Sequence, residues 1–154
     1  MKEKLEIPRT GQKVEWCDDG CFVCGRNNQI GLHIKFDFDR ENHRAMASHV
    51  FSPEHQGWDS VVHGGIIAAV LDDVMAYAIM TTNNLAITTR MSVTYRKEVK
   101  VGETVYLEGW IEKQTSRAAK TKGVLYTLEN GEKIIKAESE GTYFLDRPEG
   151  DKRK

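Results

Sequence analysis

The chain has 154 residues, room for one domain and too little for two. Apolar residues make up 40 % and, with the 13 glycines, about 48 %, so the chain can bury a core. Lys and Arg number 22 against 23 Asp and Glu, a formal charge of −1 that advertises no nucleic-acid partner. The N-terminal MKEKLEIPRTGQK lacks the apolar stretch of a signal peptide. The most apolar run, Ile66 to Met80, is interrupted by Asp72 and Asp73 and makes a poor membrane span. Three cysteines, an odd number, argue against a disulfide framework. A cytoplasmic domain that needs no membrane is the expectation.

Residues 1–20 are polar and weakly patterned and read as an arm, with Trp16 as its one large anchor. The folded domain is expected over 21–145, and 146–154, DRPEGDKRK, as a charged flexible tail. Gly31 to Asp39 and His43 to Phe51, separated by Arg-Glu-Asn, predict a hairpin. Ile87 to Arg96 alternates Met91, Val93 and Tyr95 against Ser92, Thr94 and Arg96, and Thr104 to Glu112 alternates in the same way. Ala118 to Leu128 and Glu132 to Leu145 flank Asn130-Gly131, a hairpin-turn pair. Between the first hairpin and these strands lies one helix, His63-Gly64-Gly65 followed by IIAAVLDDVMAYAIM, apolar nearly all round and therefore buried. The fold class is α+β: one long buried helix wrapped by five or six antiparallel strands.

Two glycines open the helix where a Ser, Thr, Asp or Asn cap is usual. Either the turn simply requires glycine, or the first N–H groups are left open to polarise a carbonyl or hold a phosphate. At 100° per residue Asp72 lies about 160° from Val74, whereas Asp73 lies about 100° away, beside Tyr77. The two carboxylates thus face different surroundings. A buried carboxylate must be paired, or desolvation raises its pKa and suits it to base or nucleophile work. For Asp73 the structural reading is the better one.

The stretches CFVCGRNNQIGL, HQGWDSVVHGGIIAAVLDD and ITTRMSVTYRKEVKVGE resemble the hotdog-fold thioesterases, of the phenylacetic-acid-pathway and thioesterase-superfamily type. With the C-terminal strands they cover the chain from Cys17 to Leu145. The specific part is H-G-G with an Asp nine residues after the His, here His63 and Asp72. The resemblance implies a hotdog fold and an acyl-CoA substrate, with Asp72 as base or nucleophile. It assigns the oxyanion donor to the N–H of Gly64 or Gly65, the helix start to His63 and the water to Thr88. Some relatives carry an Asn near the position of Gln56, which inherits that polarising role. Ser60 stands where glycine is frequent. The resemblance also implies a homodimer, often paired again into a tetramer, with the active site shared between chains.

Coenzyme A carries phosphates and needs cations at the mouth. Among Arg90, Arg96, Lys97, Arg117, Lys120 and Lys122, the choice falls on Arg96, Lys97 and Arg117. Trp58, Met75, Ile79 and Met80 are candidates to line an acyl tunnel. Cys17, Cys21 and Cys24 have zinc-like spacing but are one ligand short; His33 could complete a site, but the resembling family often shows C-x-x-C-G here without metal. No metal and no cofactor are therefore expected. No nucleophile elbow or phosphate-binding loop is present. The function that results is an acyl-CoA thioesterase; the alternative is a non-catalytic hotdog module that binds acyl-CoA or only assembles.

Overall fold

The computed structural model describes residues 4–6, 13–15 and 20–146. Trp16, Cys17 and the tail beyond Asp146 lie outside the described residues. Strands β1 (Lys4–Glu6) and β2 (Lys13–Glu15) pair with each other as a separate antiparallel sheet. The main sheet contains β3 (Asp37–Asp39), β4 (Arg44–Val50), β5 (Leu85–Tyr95), β6 (Thr104–Gln114), β7 (Ala118–Glu129) and β8 (Glu132–Asp146), in the order β3-β4-β6-β7-β8-β5. Every neighbouring pair in it is antiparallel. One helix, α1 (Gly64–Met80), packs on one face of this sheet.

The β7–β8 connection is the turn expected at Asn130-Gly131. Both residues have positive φ, 51° and 81°, as a type I′ turn demands. The first hairpin forms too, but its pairing is confined to Asp37–Asp39 against Arg44–Met46. Residues 31–36 turn away because their backbone is used elsewhere: Leu32 and Ile34 donate to the carbonyls of Phe22 and Val23 at 2.8 and 2.9 Å.

The sheet accepts the helix because glycines clear its path. A Cβ on Gly109 of β6 would stand 2.5 Å from the Val74 carbonyl oxygen, backbone that cannot yield. Across the strands, a Cβ on Gly123 would press on Met75 at 3.1 Å. Around this seat Val70, Leu71 and Val74 are fully buried in one cluster with Leu107 and Leu125, and Met75 and Ile79 in a second with Ala119, Tyr143 and Leu145. That burial corrects one expectation. Met75 and Ile79 are fully enclosed and Met80 is 9 % exposed, so all three are core and line no tunnel. A helix apolar on every side spends those side chains on packing. Trp58, by contrast, is 85 % exposed.

Candidate active site

Asp72 sits midway along α1 and is half-buried. Two hydroxyls converge on one of its oxygens: Thr88 from β5 and Tyr143 from β8 each donate to Oδ1 at 2.8 Å. Tyr143 also donates to the Asp72 carbonyl oxygen at 3.1 Å. Burial, followed by the negative charge of Asp72, pushes the Tyr143 phenol well above its ordinary value, so it stays a donor. Among the described residues no hydrogen bond reaches Asp72 Oδ2. One carboxylate oxygen is pinned and the other accepts no bond among the described residues.

Both donors arrive through local irregularity. Thr88 shares sequence parity with Arg90, Ser92 and Thr94, which strict alternation places on the face away from Met91 and Val93. The register against β8 slips between Thr88 and Arg90, leaving Thr89 unpaired there as a bulge. Beyond the slip Thr88 pairs with the buried Tyr143, whereas Met91 pairs with Gly141, so both now face the helix. Gly141 in turn makes room for the tyrosine: a Cβ there would meet the Tyr143 ring at 2.5 Å.

The helix start differs from its reading in the sequence. It has a side-chain cap: His63 is the N-cap residue and its Nδ1 accepts the Gly65 N–H at 2.8 Å. The imidazole lies so close that a Cβ on Gly65 would stand 3.0 Å from it. Gly65 is thus the residue that this cap requires, and its N–H is engaged. Gly64 is the first helical residue, whose N–H has no partner within the helix. The hydroxyl of Tyr95 donates to the Gly64 carbonyl at 2.6 Å and the tyrosine ring packs on Gly64. Gln56 holds the preceding loop: its Oε1 accepts the Ser60 N–H at 3.2 Å and its backbone bridges to Val62. Ser60 has φ of 60°, which is the physical reason for glycine at that place.

The three cations are not brought together in one chain. Arg96 follows Tyr95, which pairs with Ala137, while Arg117 precedes Ala118, which pairs with Phe144. Seven residues of β8 separate the two places, about 23 Å at ~3.3 Å per residue. Arg96 is bound to Glu138 at 2.8 Å. Lys97 lines an open cleft of about 650 Å³ with Lys100 and Lys136, interleaved with Glu98, Glu103 and Glu129.

Asp73, about 100° further round α1, meets other neighbours. The Cys21 thiol lies 3.9 Å from its Oδ2, Cys24 donates to it as well, and Tyr77 bonds to Cys24. Burial, augmented by the charge of Asp72 and moderated by the two thiols, raises the Asp73 pKa to about 6. Burial likewise pushes the Cys24 thiol and the Tyr77 phenol up.

Comparison with known proteins agrees with this fold. The family model of the thioesterase superfamily matches residues 59–134, which include the helix and the strands β5 to β7. An esterase candidate of Archaeoglobus fulgidus is 30 % identical over 100 residues, covering 65 % of this chain and 63 % of its own length. The chain therefore spans less than two thirds of that relative. A solved thioesterase-superfamily protein superposes with a TM-score of 0.74 at 20 % identity, covering 95 % of this chain and 68 % of that one. The PaaI protein from the E. coli phenylacetic acid degradation operon gives 0.67 at 15 % identity, covering 75 % and 80 %. A Streptococcus mutans protein solved with acetyl-CoA bound gives 0.67 at 19 %, covering 78 % and 95 %. At these identities the structures speak for the fold. The chain is a hotdog-fold protein whose residues 59–134 match the thioesterase-superfamily model, and its structural neighbours include a thioesterase-superfamily protein and the PaaI protein.

Proposed function

We propose that the chain is an acyl-CoA thioesterase that hydrolyses an acyl- or aryl-CoA to the free acid and CoA, with Asp72 as its base. The observation that carries the reading is the pair of hydroxyls on Asp72 Oδ1. A carboxylate held through one oxygen keeps the other available for chemistry. Oδ2, which accepts no hydrogen bond among the described residues, is available to a substrate water, which the lone pairs of Thr88 would help to hold. Oδ2 takes a proton as the water oxygen attacks the thioester carbonyl. The tetrahedral oxyanion collapses, the C–S bond breaks, and the thiolate of CoA leaves with the proton from Asp72. The same geometry admits direct attack by Oδ2, which would give an anhydride that water then opens.

The oxyanion donor is the Gly64 N–H, at the positive end of the α1 dipole, with His63 and Tyr95 fixing that end in place. Gly64 and Asp72 are eight residues apart, about 12 Å along the axis at ~1.5 Å per residue. A reacting carbonyl must lie within about 3–3.5 Å of the attacking atom and at hydrogen-bonding distance from its donor. One helix cannot offer both.

A two-fold dimer can. Strand β5 is an edge of 11 residues, with Ile87 and Tyr95 about half exposed, a template for pairing with a second copy. If two β5 edges pair antiparallel, the Thr88 end of one lies beside the Tyr95 end of the other. That places one chain's Asp72 near the partner's helix start. The same operation brings Arg117 of one chain toward Arg96 and Lys97 of the other, around one mouth for the CoA phosphates.

The test is a panel of acyl-CoA thioesters followed by thiol release. Turnover of at least one supports the enzyme. Saturable acyl-CoA binding without any turnover would replace it with the non-catalytic module.

A further inference from the structure

We propose that Cys21, Cys24 and Asp73 form a binding site for one divalent transition metal, with zinc as the ion that the donors suit. Two thiolates and a carboxylate are a borderline-soft set that zinc takes readily. Cys17 lies outside the described residues; to Cys21 and Cys24 the fold adds a ligand from α1 that no spacing motif could show. The Sγ atoms and a carboxylate oxygen lie within 4.8 Å of one another, and Cys21 Sγ is 3.9 Å from Asp73 Oδ2. Around a tetrahedral zinc, with bonds of about 2.3 Å to sulfur and about 2.0 Å to oxygen, such atoms stand ~3.5–3.8 Å apart. Small side-chain rotations close the remaining gap.

The site is built rather than accidental. Cys21 and Cys24 lie on one C-x-x-C turn, closed by the Gly25 N–H on the Cys21 carbonyl at 2.9 Å. Bonds from Leu32 and Ile34 to Phe22 and Val23 hold the strip between the two cysteines against the following segment. Asp73 comes from a helix position 52 residues away from Cys21. Tyr77, one helical turn beyond Asp73, bonds to Cys24 and stands as an outer partner that orients the sulfur. Three donors stand together among the described residues, which leaves a fourth position for water. An ion there would fasten the cysteine turn to α1 one residue from Asp72. The site is independent of the thioesterase reading.

The test uses the full chain, reduced and stripped of metal by a chelator. Zinc is titrated in competition with a chromophoric chelator, and cobalt as a spectroscopic substitute. The expected result is one ion per chain, with thiolate-to-cobalt charge-transfer absorption. Asp73→Asn and Cys24→Ser should each weaken binding by no less than the ~10–100-fold that loss of an outer partner costs. Absence of saturable binding at one per chain in the unaltered protein would overturn the proposal. So would affinity unchanged in both variants, each shown by circular dichroism to be folded.

Discussion

Tyr143→Phe isolates a single oxygen atom. The ring of Tyr143 is fully buried and its shape survives the change, so packing against Gly141 and α1 is kept. What is lost is a donor at 2.8 Å to Asp72 Oδ1 and at 3.1 Å to the Asp72 carbonyl. A hydrogen bond to a charged group is worth about 1.5–3 kcal/mol. Thr88 still holds Oδ1, so the carboxylate is loosened rather than freed. If the full bond energy acts in the transition state, kcat should fall by about 10–100-fold. KM should change little, because Tyr143 meets Asp72 and not the acyl group. Steady-state thiol release gives both constants, and a urea melt shows whether the fold is intact. A folded Tyr143→Phe enzyme with unaltered kcat would refute the claim that this hydroxyl sets the carboxylate.

Other consequences can be checked separately. Gly109→Ala forces a Cβ to 2.5 Å from the Val74 carbonyl oxygen, and the overpacking should cost about 1–3 kcal/mol in a denaturant melt; an unchanged midpoint would mean that α1 is not seated there. His49 is half-buried with no partner for its Nε2 among the described residues, and burial, then the charge of His55, lowers its pKa. A lowered histidine favours the neutral folded form, so stability should be full above the ordinary histidine range and fall as pH drops through the lowered value. In His49→Gln that acid slope should flatten, as read by melts at stepped pH. For the shared site, chains with Asp72→Asn can be co-expressed with chains carrying Gly64→Trp. A purified mixed dimer should regain activity although each parent is inactive, because one of its sites is wholly native. An inactive mixed dimer would dismiss the shared site.

The helix and the four long strands were readable because their patterns are strong. An apolar run of helical length opening at His63-Gly64-Gly65 and an Asn-Gly hairpin turn admit few other readings. That Asp72 and Asp73 meet different surroundings also followed from the wheel angle, and the fold gives them different neighbours; the chemical role proposed for Asp72 rests on the resemblance. The remainder depends on contacts between elements distant in the chain. Tyr143 alternates along β8 as any core aromatic would, and nothing local shows that its hydroxyl ends on a carboxylate. Thr88 was reachable through resemblance alone, since its parity points outward until the bulge at Thr89 reverses it. The resemblance sets His63 at the helix start, but its capping bond is not legible in the sequence because histidine is not among the usual capping residues. One available signal was missed: Gly141, in an otherwise well-patterned strand, marks a close approach. Arg117 was grouped with Arg96 and Lys97 by charge, and β8 holds them at opposite ends of one chain.

The most direct measurement is thiol release by Asp72→Asn and Asp73→Asn against the unaltered protein, on whichever acyl-CoA turns over best. Loss of the base should lower kcat by about 10²–10⁴-fold in Asp72→Asn, with CoA affinity and the melting midpoint nearly unchanged. Asp73→Asn, whose side chain meets Cys21 and Cys24 instead of Thr88 and Tyr143, should keep most of the activity. Activity retained in Asp72→Asn and lost in a folded Asp73→Asn would contradict the assignment of the chemistry to Asp72.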